Sequence, residues 1–220
     1  MKRKLLSVLL VSCSILSLCP STEMNAYRKT QGQWILNNGQ YQYITSNNTV
    51  AHGWLKQGNN WYYLDLSDGN MATGWKRINN KWYYFDTVTG KMKTGWIRDG
   101  TTWYYLNSVG VMQTGWQYIG GKWYCFKSSG QMIKGWLYNK GVYYYLMPSG
   151  EMKTGWLYNG SNWYFLDNNG AMHKGWLLKD GKRYYLNDKT GVLATQPFTQ
   201  LDLNTGITKH YVPDASGAVY

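Results

Sequence analysis

Gly53-Trp54-Leu55-Lys56-Gln57-Gly58-Asn59-Asn60-Trp61-Tyr62-Tyr63-Leu64, followed by Gly69-Asn70-Met71 and then Gly74-Trp75, is the stretch that decides how this chain folds. The Gly-Trp pair returns at Gly95-Trp96, Gly115-Trp116, Gly135-Trp136, Gly155-Trp156 and Gly175-Trp176, so successive Trp lie 21, 21, 20, 20, 20 and 20 residues apart. An aromatic-rich tetrapeptide begins seven residues after each Trp. A fixed period of this length marks a solenoid or array, in which each unit buries its apolar face on its neighbours.

With the Gly-Trp tryptophan counted as position 0, residues that tolerate positive φ fall at +4/+5: Gly58-Asn59, Asn79-Asn80, Gly120-Gly121, Lys140-Gly141, Gly160-Ser161 and Asp180-Gly181. Such pairs close tight hairpins. A first strand runs to the turn and a second leaves it as Trp61-Tyr62-Tyr63-Leu64, Trp82-Tyr83-Tyr84-Phe85 or Trp103-Tyr104-Tyr105-Leu106, so each unit is a β-hairpin. A looser connection follows, carrying Gly-x-Met: Gly69/Met71, Gly90/Met92, Gly110/Met112, Gly130/Met132, Gly150/Met152 and Gly170/Met172. Side chains alternate along a strand, so +7 and +9 share one face while +8 and +10 share the other. One aromatic face can be core and the other a binding wall. Trp34, Asn38-Gly39, Tyr41 and Tyr43 form an eroded first unit, and Phe198, His210-Tyr211 and Gly217-Ala218-Val219 an eroded last one, as expected of caps on an array.

Composition points the same way. The chain holds 13 Trp and 21 Tyr but only 4 Phe, and aromatic rings with polar handles suit recognition better than plain burial. The net charge is +12, of which residues 1–33 supply +4 (Lys2, Arg3, Lys4, Arg28 and Lys29 against Glu23). The remaining basicity favours polyanions, yet Lys and Arg are scattered over turns and strand ends with no nucleic-acid motif, which argues against nucleic acid as a partner. Met1-Lys2-Arg3-Lys4 followed by the apolar run Leu5 to Leu18 reads as a secretory signal peptide, ending near residue 26, with 27–33 as linker. Leu10-Val11-Ser12-Cys13 is similar to a lipoprotein box, but the apolar residues continue past Cys13. Once Cys13 and Cys19 leave with the signal, Cys125 is the only thiol and stability rests on stacking of the repeats.

Gly-Trp, a turn, Trp-Tyr-Tyr-Leu/Phe and Gly-x-Met-x-Thr/Lys-Gly-Trp at this period resemble the choline-binding repeat of Gram-positive cell-surface proteins and wall hydrolases. The resemblance covers about Trp34 to Gly191. It implies an all-β fold, a β-solenoid of stacked hairpins, with the array over residues 34–195 and a degenerate capping repeat over 196–220. It also implies that phosphocholine of teichoic or lipoteichoic acid is held between neighbouring units. A trimethylammonium group donates no hydrogen bond, so stacked π-faces suit it, at roughly 0.5–2 kcal/mol per contact.

By the resemblance, a cage takes the 0 and +7 aromatics of one unit with the +9 aromatic and the Met of the next. That grouping gives Trp54, Trp61, Tyr84 and Met92; Trp75, Trp82, Tyr105 and Met112; Trp116, Trp123, Tyr145 and Met152; and Trp156, Trp163 and Tyr185 with Leu193 in the Met place. Trp136 and Tyr143 face Phe165 and Met172. Trp96 and Trp103 face Cys125, which puts that cage in doubt, and Trp34 and Tyr41 face Tyr63 with Met71. Trp176 has Arg183 at +7 and is expected not to bind choline.

Packing alone explains part of this pattern, since Met commonly fills gaps. It would equally tolerate Leu or Val at 0, where Trp persists in seven consecutive units, and at +7, which is Trp in five of them. A glucan- or other carbohydrate-binding array, or an adhesin using the repeats as scaffold, remains the alternative; sugar binding calls for fixed Asp, Asn or Gln beside the rings, and those neighbours vary. His52, His173 and His210 share no repeat position, and the carboxylates occupy turns, as at Asp65, Asp86 and Asp167, so no catalytic, metal or cofactor site is expected. The expectation is a secreted, non-enzymatic module on the bacterial surface, peripheral to wall or membrane, with its oligomeric state open. Basic side chains near the cages would add a salt-sensitive attraction to adjacent phosphates.

Overall fold

The computed structural model describes residues 32–201 and 205–220; the expected signal segment and residues 27–31 of the linker lie outside them. Among the described residues there are eighteen strands and no helix, and every strand pairs antiparallel with its chain neighbour alone. The chain divides after Lys93 into two compact units. The first holds three hairpins, Gln33–Asn37 with Gln40–Ile44, Gly53–Gln57 with Asn60–Leu64, and Gly74–Ile78 with Lys81–Phe85. The second begins with Gly95–Asp99 and Thr102–Leu106, Gly115–Ile119 and Lys122–Phe126, and Gly135–Asn139 and Val142–Leu146. It continues with Gly155–Tyr158 and Trp163–Leu166, Gly175–Lys179 and Lys182–Leu186, and Phe198–Leu201 and Thr208–Tyr211.

Turn chemistry fixes the register. Asn79 and Asn80 sit at φ 47° and 63°, and Gly120 and Gly121 at 58° and 84°, the double positive φ whose twist matches a two-residue hairpin. Position 0 then lies directly opposite +9, as in Trp54↔Tyr63, and +2 opposite +7, as in Lys56↔Trp61. The Trp156 hairpin departs from the expected Gly160-Ser161 turn. Its strands stop at Tyr158 and resume at Trp163, and the Asn159 side-chain oxygen accepts hydrogen bonds from the Ser161 and Asn162 amides across a wider loop.

Within each unit the Gly-x-Met segment stitches one hairpin to the next. The Met71 N–H donates to the Tyr41 carbonyl of the preceding hairpin at 2.7 Å, while the Ala72 N–H donates to Tyr63 of its own. The Met92–Trp61, Met132–Trp103, Met152–Trp123, Met172–Tyr143 and Leu193–Trp163 amide–carbonyl bonds repeat the pattern. Glycine before the Met is demanded twice over: Gly150 has φ +92°, and a Cβ there would stand 2.3 Å from the Met132 sulfur of the preceding repeat.

The +10 side chains form the core of each unit, with Leu64 and Phe85 fully buried in the first and Leu106, Leu146, Leu166 and Leu186 in the second. Asp65, Asp86 and Asn107, the next residues along, cap the following turn by accepting backbone N–H bonds from Ser67, Val88 and Val109. The eroded C-terminal repeat is a true hairpin. Phe198 stacks on Tyr185 and Tyr211, and Val219 takes the Met place with its N–H donating to the Arg183 carbonyl at 2.8 Å.

Candidate functional site

Strand alternation puts 0, +2, +7 and +9 on one face of every hairpin and +1, +8 and +10 on the other. On the first face the 0 and +7 rings form an open corner. Trp54 and Trp61 have centroids 6.1 Å apart and planes 89° apart, and Trp75/Trp82, Trp96/Trp103, Trp116/Trp123, Trp136/Tyr143 and Trp156/Trp163 repeat this at 6.2–6.4 Å and 82–86°. The corner is accessible at its rim, where Trp61, Trp82, Trp123, Tyr143 and Trp163 are 39–44% exposed.

The next hairpin supplies a third ring, and it comes from +8. Tyr83 meets Trp54 at 4.9 Å, Tyr124 meets Trp96 at 4.8 Å, Tyr144 meets Trp116 at 5.0 Å, Tyr164 meets Trp136 at 4.9 Å and Tyr184 meets Trp156 at 4.9 Å. At the eroded start, Tyr62 meets Trp34 at 5.0 Å. The +9 residues expected from the sequence as third walls pack on the Trp of their own hairpins: Tyr84 on Trp75 at 5.1 Å, Tyr105 on Trp96, Tyr145 on Trp136 and Phe165 on Trp156, each at 5.2 Å. Tyr185 is buried and donates its hydroxyl to Asp188; burial, reinforced by that bond, pushes its pKa up to about 12. Which of two adjacent tyrosines faces the neighbouring hairpin depends on which sheet face stacks on which. The signal available in sequence was the +8/+10 pairing, since +10 is plainly core and +8 must share its side.

The Gly-x-Met segments run beside the preceding hairpin within each compact unit. Met92 hydrogen-bonds through its amide to Trp61 and packs with Tyr83 against the buried cluster of Tyr63, Ile78 and Phe85. Met132, Met152 and Met172 are placed equivalently beside Trp103, Trp123 and Tyr143. Trp75 and Trp82 belong to the first compact unit, whereas Tyr105 and Met112 belong to the second.

A family model for the choline-binding repeat matches residues 72–112, 113–156 and 153–198, and a model for a cell wall binding repeat matches 52–71. The chain belongs to the choline-binding repeat family. No curated protein matches it significantly. Among solved structures it is similar to choline binding protein F from Streptococcus pneumoniae, determined in the presence of a peptidoglycan analogue, with 33% identity and a TM-score of 0.71 over 87% of this chain and 71% of that one. CbpJ from Streptococcus pneumoniae TIGR4 matches at 27% identity and a TM-score of 0.62, covering 86% and 94% of the two chains. The choline-binding domain of CbpL from the same species matches at 28% identity and a TM-score of 0.61, covering 85% and 96%.

Two departures within these choline-binding repeats take on a different meaning from the one the sequence suggests. Cys125, buried and with its thiol pKa raised by that burial, lies opposite Trp116 in its own hairpin. That corner keeps its third ring in Tyr124. At the last repeat the Arg183 guanidinium lies 4.5 Å from the Trp176 ring centroid, while Tyr211 closes on the same Trp at 4.8 Å. The protein's own cation takes the place beside the position-0 Trp that a +7 ring takes in the other repeats.

Proposed function

We propose that the chain is a non-enzymatic wall-binding module that holds phosphocholine of teichoic and lipoteichoic acids in aromatic pockets between successive hairpins, after export to the bacterial surface. Each pocket takes the 0 and +7 rings of one hairpin, the +8 tyrosine of the next and that repeat's Met. These are Trp54, Trp61, Tyr83 and Met92 in the first unit. In the second they are Trp96, Trp103, Tyr124 and Met132; Trp116, Trp123, Tyr144 and Met152; Trp136, Tyr143, Tyr164 and Met172; and Trp156, Trp163, Tyr184 and Leu193. Residues 34–195 serve as the binding array and 196–220 as its cap.

The observation that carries this reading is the repeated perpendicular ring pair with an accessible rim. Two π-faces at right angles surround a trimethylammonium group from two sides, the third ring adds another, and the polarisable Met thioether completes a wall that needs no hydrogen-bond donor or acceptor. Arg183 over Trp176 supports it from inside the molecule, because a cation already occupies such a ring. Single pockets of this kind bind weakly. Several on one array, facing a polymer with many choline groups, produce tight attachment through effective concentration.

The experiment is binding of the mature chain to purified teichoic acid with and without choline substitution, in competition with free choline. Retention that depends on the substituent and is reversed by millimolar choline supports the proposal; equal retention on both polymers overturns it.

A further inference from the structure

Position +2 divides the pockets into two chemical classes. It lies directly opposite the +7 rim ring in every repeat, at a distance where cross-strand side chains touch. Along the chain it reads Lys56, Arg77 and Arg98, and then Tyr118, Tyr138 and Tyr158: a block of cations followed by a block of tyrosines. All six side chains are exposed. The tyrosines lie against the rim rings, Tyr118 on Trp123 at 5.2 Å, Tyr138 on Tyr143 at 4.7 Å and Tyr158 on Trp163 at 5.2 Å. Lys56 instead holds its ammonium 5.7 Å from the Trp61 centroid, and Arg98 is opposite Trp103 in the same register.

The geometry points to phosphate-reading pockets at Trp54/Trp61 and Trp96/Trp103, where Lys56 and Arg98 take the phosphate of a phosphocholine whose ammonium the rings hold, and to phosphate-indifferent pockets at Trp116/Trp123, Trp136/Tyr143 and Trp156/Trp163. This rests on the pocket reading above and assigns it a ligand preference repeat by repeat. In phosphocholine the phosphate is tethered to the ammonium by a two-carbon arm, so an ammonium seated in the corner leaves the phosphate at the rim. A cation there acts in two ways with the same result. It repels the ammonium of bare choline, and it attracts the phosphate of the esterified ligand through a charge-assisted contact. A tyrosine lengthens the π-wall for the methyl groups and carries no charge to do either. The contribution of an exposed charge pair corresponds to about two- to fivefold in affinity and is screened by salt.

The test uses the full mature chain, with indole N–H signals assigned by single Trp→Phe variants and titrated separately with choline and with phosphocholine at low ionic strength. Trp61 and Trp103 are expected to respond at two- to fivefold lower phosphocholine than choline, Trp123 and Trp163 at equal concentrations of the two. Half-molar salt is expected to level the difference. Lys56→Ala should bring the ratio at Trp61 to that at Trp123, and the reciprocal Tyr118→Lys should raise the ratio at Trp123, so the proposal does not hang on a loss alone. Equal ratios at all four indoles would overturn it while leaving the choline pockets standing. Absence of any indole response to either ligand would instead overturn the pocket reading itself.

Discussion

Trp54 and Tyr83, from neighbouring hairpins, meet edge to face with ring centroids 4.9 Å apart, whereas Tyr84 turns away onto Trp75 of its own hairpin. The wall between successive repeats therefore depends on which of two adjacent tyrosines is read. Removing the Tyr83 ring as Tyr83→Leu is expected to weaken choline binding at the Trp54/Trp61 corner by about 2- to 30-fold, the range of one cation–π contact. Tyr84→Leu should weaken it less at that corner. Titration of the Trp61 indole signal distinguishes the two, with thermal melts of both variants as the control for folding.

The same logic rehabilitates the Trp96/Trp103 corner. Its third ring is Tyr124, and Cys125 lies opposite Trp116 of its own hairpin. Tyr124→Leu should abolish most of the choline response of Trp103, and Cys125→Tyr should leave that response unchanged. A gain at Trp103 on introducing the tyrosine would restore +9 as the wall.

Arg183 over Trp176 predicts a variant with one more site. Arg183→Trp recreates the corner found in the other repeats, with Tyr211 already 4.8 Å from Trp176. Calorimetric titration with choline should then show one additional equivalent bound. An unchanged stoichiometry would show that the capping hairpin, and not the guanidinium, closes the position.

Gly150→Ala tests the stitch between repeats. At φ +92° an alanine is strained by about 1–2 kcal/mol, and its Cβ would lie 2.3 Å from the Met132 sulfur. The thermal midpoint should fall, and choline binding at Trp103 should weaken with it because the Met132 amide ties this segment to the Trp103 carbonyl. By contrast Gly120→Asn, at a turn with open space around it and φ 58°, should change neither.

Acid should loosen the first unit. Asp65 is held well below the usual carboxylate range chiefly by the Lys76 ammonium, 2.6 Å away, and Asp86 chiefly by Lys93 at 2.9 Å. Because the folded state favours the ionised form, the stability these groups contribute is complete above the unfolded carboxylate value of about 4 and is lost as pH falls below it. The melting temperature should be flat from pH 7 to pH 5 and decline below pH 4. Asp65→Asn combined with Asp86→Asn should flatten that decline, since Asn107 shows that an amide oxygen caps the same turn without a charge to titrate.

The sequence alone determined the period, the hairpin within each period and the identity of the corner rings, because turn residues and strand alternation are local and their consequences reach only a few residues. The pairing of the Trp54 and Trp61 rings was legible on that basis. Only the tertiary structure decided that Tyr83 rather than Tyr84 meets Trp54, that Cys125 lies opposite Trp116 of its own hairpin, and that Arg183 covers Trp176. Both faces of the second strand are aromatic, so local pattern could not say which face a hairpin turns to its neighbour. Stacking settles it, since the +10 residue must be buried in the core and carries +8 with it to the same side.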